Sequence, residues 1–243
     1  MTELLYQLDS YLQIFEASVT AVDEENWAVL LDRTAFYPGG GGQPHDLGPL
    51  EFSGSVMPVV RVKKGPEGIW HFLGDGAILP SLGTTLTGKL DWDRRYRLMR
   101  THTAMHILCG VVFRDYSAQV TGGDMEPLAG RMDFEFESLT KDLVSVIEAA
   151  VNREVAAARD VRVNILPRDE AFQIPDLIRT KINLLPPGIE QVRTVQIVGL
   201  DLQADGGTHV LSTAEVGQMH IADYKSKGKI NKRIYVQLDG QGE

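Results

Sequence analysis

Between Tyr6 and Leu90 the apolar residues come in short runs broken by glycine and proline, among them residues 26–31, 56–62 and 84–90. Runs of this length closed by turn-forming residues predict strands, and several in succession predict a small β-barrel. The pattern changes at residues 91–93. From Asp93 to Cys109 neither Gly nor Pro interrupts the chain, and Leu98, Met99, Met105, Ile107 and Leu108 supply the apolar content of a helix. Residues 116–123 read as a strand running into a turn at Gly122 and Gly123, and residues 131–137 alternate, with Met132, Phe134 and Phe136 on one side and Asp133 and Glu135 on the other. Leu143, Ile147, Ala150, Val151 and Val155 fall at helical spacing and predict an amphipathic helix over 139–158. Residues 161–166 predict another strand and 169–178 a short helix. A strand over 192–198 then feeds a glycine loop directly, and 217–222 and 233–238 complete the sheet. The expected fold class is α+β, with a small β-barrel-like domain over residues 1–92 followed by an α+β domain over 93–243.

The candidate chemistry lies on the helix after the barrel. In Thr101-His102-Thr103-Ala104-Met105-His106 two histidines stand four residues apart, which places them on one helical face. Two neutral imidazoles on adjacent turns can converge on one metal ion, although such pairs also arise by chance on helix surfaces. Further ligands come about a hundred residues later, in Gln203-Ala204-Asp205-Gly206-Gly207-Thr208-His209, where an acid and a histidine are again four apart. His102, His106, Asp205 and His209 together form a reasonable zinc set. A second unusual stretch, Pro38 to Gly42, carries Gly39, Gly40, Gly41 and Gly42 in succession. Glycines permit positive φ and close backbone approach, so this is either a tight hairpin connection or a wall of a site. His45, His71 and His220 lack partners at ligand spacing and read as surface or structural residues.

Composition narrows the classes. With 43% hydrophobic residues, 243 residues can build one large or two modest domains. There is no apolar run near 18 residues and an acid stands at Glu3, so neither membrane span nor export is expected. A single cysteine precludes an internal disulfide and suits a cytoplasmic protein. The net charge of -9 argues against nonspecific coating of nucleic acid, so any such partner must meet local basic patches. Two are present: Arg94, Arg95, Arg97 and Arg100, and Lys225, Lys227, Lys229, Lys232 and Arg233.

Three motifs in this order resemble the AlaX alanyl-tRNA editing proteins of medium length, relatives of the editing domain of alanyl-tRNA synthetase. They are Thr34-Ala35-Phe36-Tyr37-Pro38-Gly39-Gly40-Gly41-Gly42-Gln43-Pro44 followed by Asp46, the HTAMH run ending at His106, and the GGTH run ending at His209. The resemblance covers nearly the whole chain. It implies a trans-editing hydrolase that removes wrongly attached serine, with glycine as a second candidate, from the acceptor end of tRNA(Ala). It also implies one Zn(2+) per chain and no need of ATP for hydrolysis, and leaves oligomeric state open. By the same resemblance Thr34, Gln43 and Asp46 become candidates beside the site. Gln119 matches the editing domain's polar substrate-contacting glutamine, Gly206, Gly207 and Thr208 offer amides to an oxyanion, and Arg94, Arg95, Lys225, Lys227 and Lys229 are candidate tRNA contacts.

One departure is chemical. Many relatives carry cysteine where this chain has Asp205; an aspartate oxygen is an accepted zinc ligand but harder than a thiolate. Cys109 cannot stand in, because seven residues beyond His102 lie roughly 10 Å along a helix. It reads as a buried small hydrophobe. Two other classes compete with the editing enzyme. One is a noncatalytic zinc-containing tRNA-binding module; the other is a metallopeptidase, against which HTAMH lacks the glutamate that HExxH carries beside its first histidine.

Overall fold

The structure is a computed structural model that describes residues 2–180, 185 and 188–240. The chain divides into two units, Met1–Tyr96 and Arg97–Glu243. The first runs β1 (Glu3–Leu4), β2 (Ile14–Asp23), β3 (Ala28–Leu31), β4 (Arg33–Thr34), β5 (Gly48–Phe52), β6 (Ser55–Lys64), β7 (Ile69–Leu73) and β8 (Thr85–Lys89). Six of these strands close a barrel in the order β2-β3-β7-β6-β5-β8, and β1 pairs with β4 in parallel. Along β2, Phe15, Ala17 and Val19 are buried and alternate with Ile14, Glu16 and Ser18. The same strand pairs with β8 through Ile14 to Ser18 and with β3 through Val19 to Asp23, so it closes the barrel and leaves no open edge there. Gly88 on β8 is required by packing, since a Cβ would meet the Phe15 ring at 2.4 Å.

The glycine stretch is a tight excursion from this barrel. Gly39, Gly40, Gly41 and Gly42 all have positive φ (85°, 137°, 58° and 88°), where L side chains are strained. Gly40 N donates to Gln43 O at 3.0 Å and Gln43 N returns to Gly40 O at 2.9 Å. At its neck Tyr37 N donates to Asp46 Oδ2 at 2.6 Å. Asp46 is 1% exposed and faces the guanidinium of Arg95, which is itself fully buried and also donates to Ser10 O at 3.0 Å and Ala35 O at 2.6 Å. This corrects the expectation that Arg95 is a surface cation: its donors hold the neck of the glycine loop. Thr34 is fully buried as well, its Oγ1 2.8 Å from His71 Nε2 and accepting from Phe36 N at 3.1 Å.

The second unit holds most of α1 (Trp92–Tyr116), then β9 (Val120–Glu126), β10 (Ala129–Glu135), α2 (Lys141–Ala156), β11 (Val161–Pro167), α3 (Arg168–Ala171), β12 (Gln191–Ile197), β13 (Asp201–Ala204), β14 (Met219–Ser226) and β15 (Asn231–Leu238). Its sheets run β14-β15-β10-β9 and β11-β12-β13. Strands dominate among the described residues, where α1 and α2 are the long helices. Thr140 caps α2 by accepting from Leu143 N. The buried stripe of that helix is Val144, Ile147, Ala150, Val151 and Val155, so Val144 takes the place expected for Leu143. Glu154 joins the stripe because Arg114 and Arg159 each reach it at 2.6 Å.

Three further expectations are corrected. Gly122 and Gly123 lie inside β9, opposite Asp133 and Met132, and form no turn. The helix expected over 169–178 is the four residues of α3. The strand over 192–198 does not feed the glycine loop directly; the chain reverses after Ile197, and β13 pairs back from Asp201 to Ala204. No helix among the described residues is long and apolar enough to cross a membrane.

In the barrel, Asp46→Ala leaves the Arg95 charge buried without its partner and should cost about 3–5 kcal/mol in denaturant unfolding. His71, buried with Thr34 at Nε2, has its pKa lowered to about 4 by desolvation. The unfolded chain therefore takes up a proton below about pH 6.5 that the folded chain refuses. Stability should fall as pH drops from about 6.5 to 4, and His71→Gln should flatten that slope by about 3 kcal/mol across the window.

Candidate metal centre

Residues 98–112 of α1 are buried without a break, which a helix apolar or small on every face allows. His102 and His106, 3% and 6% exposed, stand one turn apart on it. The other half of the cluster comes from the end of β13. Asp205 N donates to Arg193 O at 3.1 Å and so prolongs the pairing with β12 by one step. Asp205 Oδ2 then accepts from Gly207 N at 2.7 Å, an Asx turn that curls the two glycines and delivers His209 back toward α1.

The structure brings all four side chains together: one ligand atom from each of His102, His106, Asp205 and His209 lies within 4.8 Å of the others. His102 Nε2 is 3.5 Å and His106 Nε2 4.0 Å from Asp205 Oδ1, and His209 Nε2 is 3.0 Å from Asp205 Oδ2. The ring centroids are 4.2 to 5.1 Å apart. Donors of a tetrahedral zinc at about 2.0–2.1 Å stand roughly 3.3 Å from one another, so these spacings suit a small cation.

Electrostatics agree with the geometry. Burial lowers the pKa of His102 to about 4, against the pull of Asp205, and drives that of His209 well below its usual value. These two rings are neutral at pH 7, the protonation state in which an imidazole can bind a metal. For Asp205, burial favours the neutral acid, but His102, His209 and His106 together hold the carboxyl well below its usual range. His106 differs: burial opposes its charge, yet Asp201 and Asp205 outweigh burial and raise its pKa. Cys109, 2% exposed, has its thiol pushed up by burial and stays a thiol. His209 is held from behind by Thr103, whose Oγ1 lies 3.2 Å from Nδ1 and also accepts from Val210 N.

The remaining sequence candidates are spread over both units. Gly206 is exposed, Gly207 and Thr208 are buried, and the Gly207 amide is already given to Asp205. Gln119 is exposed at the entry to β9, with its carbonyl accepting from Glu135 N. Thr34, Gln43, Asp46 and the four glycines belong to the first unit, in the contacts given above. Arg94 is half-buried and donates to His45 O at 3.4 Å. Lys225, Lys227 and Lys229 are exposed, and Lys225 pairs with Asp223 at 3.2 Å and lies over the Tyr235 ring.

Two buried residues at the cluster escaped the reading of the sequence. Arg193 donates from Nη1 to Asp205 O at 3.0 Å and sits 3.7 Å from its Oδ2. Asp201 lies 3.7 Å from His106 Nδ1. The only trace of Asp201 in the sequence is an acid four residues before Asp205, and its relevance depends on the β12–β13 reversal.

Comparison with known proteins agrees with the three motifs. Residues 7–94 match the family model described as tRNA synthetases class II (A), and residues 192–235 match the Threonyl and Alanyl tRNA synthetase second additional domain. The Alanyl-tRNA editing protein AlaX-M of Saccharolobus solfataricus is 40% identical over 97% of this chain and 98% of its own. That of Methanosarcina acetivorans is 38% identical over 98% and 99%. An Alanine--tRNA ligase of Pyrobaculum aerophilum is 38% identical over 90% of this chain, which spans 25% of that protein. With full-length likeness at this level, the chain belongs to the AlaX-M family of alanyl-tRNA editing proteins.

Proposed function

We propose that this protein is a cytoplasmic, trans-acting aminoacyl-tRNA deacylase that hydrolyses serine, and secondarily glycine, from the acceptor end of tRNA(Ala). The observation that carries the reading is the meeting of His102, His106, Asp205 and His209 within 4.8 Å, from segments a hundred residues apart. The residues fit one Zn(2+) per chain, since neutral imidazoles and an ionised carboxylate are the donor types zinc takes. When bound, such an ion supplies a Lewis acid beside the ester carbonyl, an activated water, or a template for the substrate.

An aminoacyl ester is already reactive, so the protein's own part is to place the ester, hold a water and meet the developing oxyanion. Gly206 and Thr208 can supply backbone amides for that charge, while the amide of Gly207 holds Asp205 in place. Gln119 is exposed, and in this reading it orients the water or the aminoacyl group. Thr34 and Asp46 are buried and bonded within the barrel unit, Thr34 to His71 and Asp46 to the Tyr37 amide at the neck of the glycine loop, so their part is structural. Lys225, Lys227 and Lys229 form the exposed basic stretch proposed to meet tRNA phosphates.

Such an enzyme answers a physical limit. A pocket built for alanine rejects serine or glycine by only about 1–3 kcal/mol, whereas a second site that hydrogen-bonds the serine hydroxyl can discriminate by roughly 10⁴–10⁵. The purified protein should therefore release serine from Ser-tRNA(Ala) and spare Ala-tRNA(Ala), at a rate that falls with salt. Intact Ser-tRNA(Ala) after long incubation, with tRNA still bound, would select the noncatalytic binding module instead. In metal analysis both Asp205→Ala and His209→Ala should come out empty; full metal in Asp205→Ala would remove Asp205 from the ligands and leave a three-histidine site.

A further inference from the structure

We propose that Asp201 is the positioning residue for His106, fixing from behind which ring nitrogen that histidine offers to a cation. The inference rests on the reading of the cluster as a cation site and extends it to a residue outside the ligand set. His106 turns Nε2 toward Asp205 and Nδ1 toward Asp201, whose Oδ2 is 3.7 Å away. Both groups are cut off from water, with side-chain exposures of 8% and 1%. An imidazole that gives its Nε2 lone pair to a metal must carry its proton on Nδ1, and a carboxylate facing Nδ1 selects that tautomer and makes the ring a stronger donor.

Asp201 is itself held in place. Gln203 Nε2 donates to its Oδ2 at 2.5 Å, and Arg179 Nε donates to its Oδ1 at 3.3 Å. The Arg179 guanidinium lies 3.8 Å over the Phe113 ring, so the cation that balances Asp201 is stacked on the same helix that bears His106. Gly110 supplies the clearance. It stands one turn beyond His106, and a Cβ there would come within 3.0 Å of Asp201 Cβ. A side chain at position 110 would force Leu200 and Asp201 to give by a few tenths of an ångström and so disturb the placement of the carboxylate.

The competing account makes Asp201 only the counter-ion of Arg179. Zinc affinity, measured by chelator competition on the full chain with no tRNA present, separates the two. Asp201→Asn keeps the shape and removes the charge, and should bind zinc about 10- to 100-fold more weakly than wild type, with a shifted visible spectrum in the Co(2+)-loaded form. An affinity within twofold of wild type and an unchanged cobalt spectrum would overturn the inference. If Asp201→Asn does not fold, the metal-free wild type, taken to a pH where His106 is neutral, decides: long-range ¹H–¹⁵N spectra should place the His106 proton on Nδ1, and a proton on Nε2 would sink the idea. Wild type that binds no zinc would remove the cation site and this inference together. Zinc-bound wild type matched by Asp201→Asn would remove only the inference, and neither result depends on deacylation.

Discussion

Withdrawal of three imidazoles from water around one ionised carboxylate is the constraint on which the site depends. Water would let each ring take a proton near neutrality. The unbroken burial of α1 from Leu98 to Val112 prevents this for His102, and burial does the same for His209 across the cluster, so the pKa values of both are lowered. An ionised carboxylate among buried rings is stable only if something positive is near. Within the chain, Arg193 supplies part of that charge at 3.7 Å from Asp205, and the raised pKa of His106 is a second response to the same need. A divalent cation would satisfy both more fully, which links the folding of this segment to its chemistry.

The barrel solves a different problem with a similar device. Four consecutive glycines at positive φ form a loop with little conformational preference of its own, so its shape has to be imposed from below. The imposed part is the neck, where Asp46 takes the Tyr37 amide and the Arg95 guanidinium at once. A buried ion pair of this kind adds little net stability against an apolar alternative, but it tolerates little change in geometry. Its value here is in fixing where the loop begins and ends.

How much of this could be read from the residues alone follows from range. The strands around residues 28–31, 55–64 and 85–89 and both long helices announce themselves through local periodicity, and so does the one-turn separation of His102 from His106. The convergence of those histidines with Asp205 and His209 is a long-range fact that spacing does not contain; donor types at ligand spacing suggested the set, and the resemblance strengthened it. Gly122 and Gly123 misled because glycine usually marks a turn, whereas here it lies in a strand opposite Asp133 and Met132. Arg95 looked like one of four surface cations, since charge pattern cannot tell which arginine has a buried acid 49 residues away. Asp201 was invisible for the same reason: the short reversal into β13 decides where it points.

The aspartate at position 205 has a consequence for durability. Thiolate donors are the oxidisable part of a mixed histidine and cysteine centre, since peroxide carries them through sulfenic to sulfonic acid and the donor is lost. In the proposed ligand set the corresponding position is Asp205, whose donor atom is oxygen. The single sulfhydryl of the chain, Cys109, is 2% exposed and held as the unreactive thiol. The proposed cation site thus holds no sulfur among its four candidate ligands, and peroxide finds no thiolate donor there to oxidise.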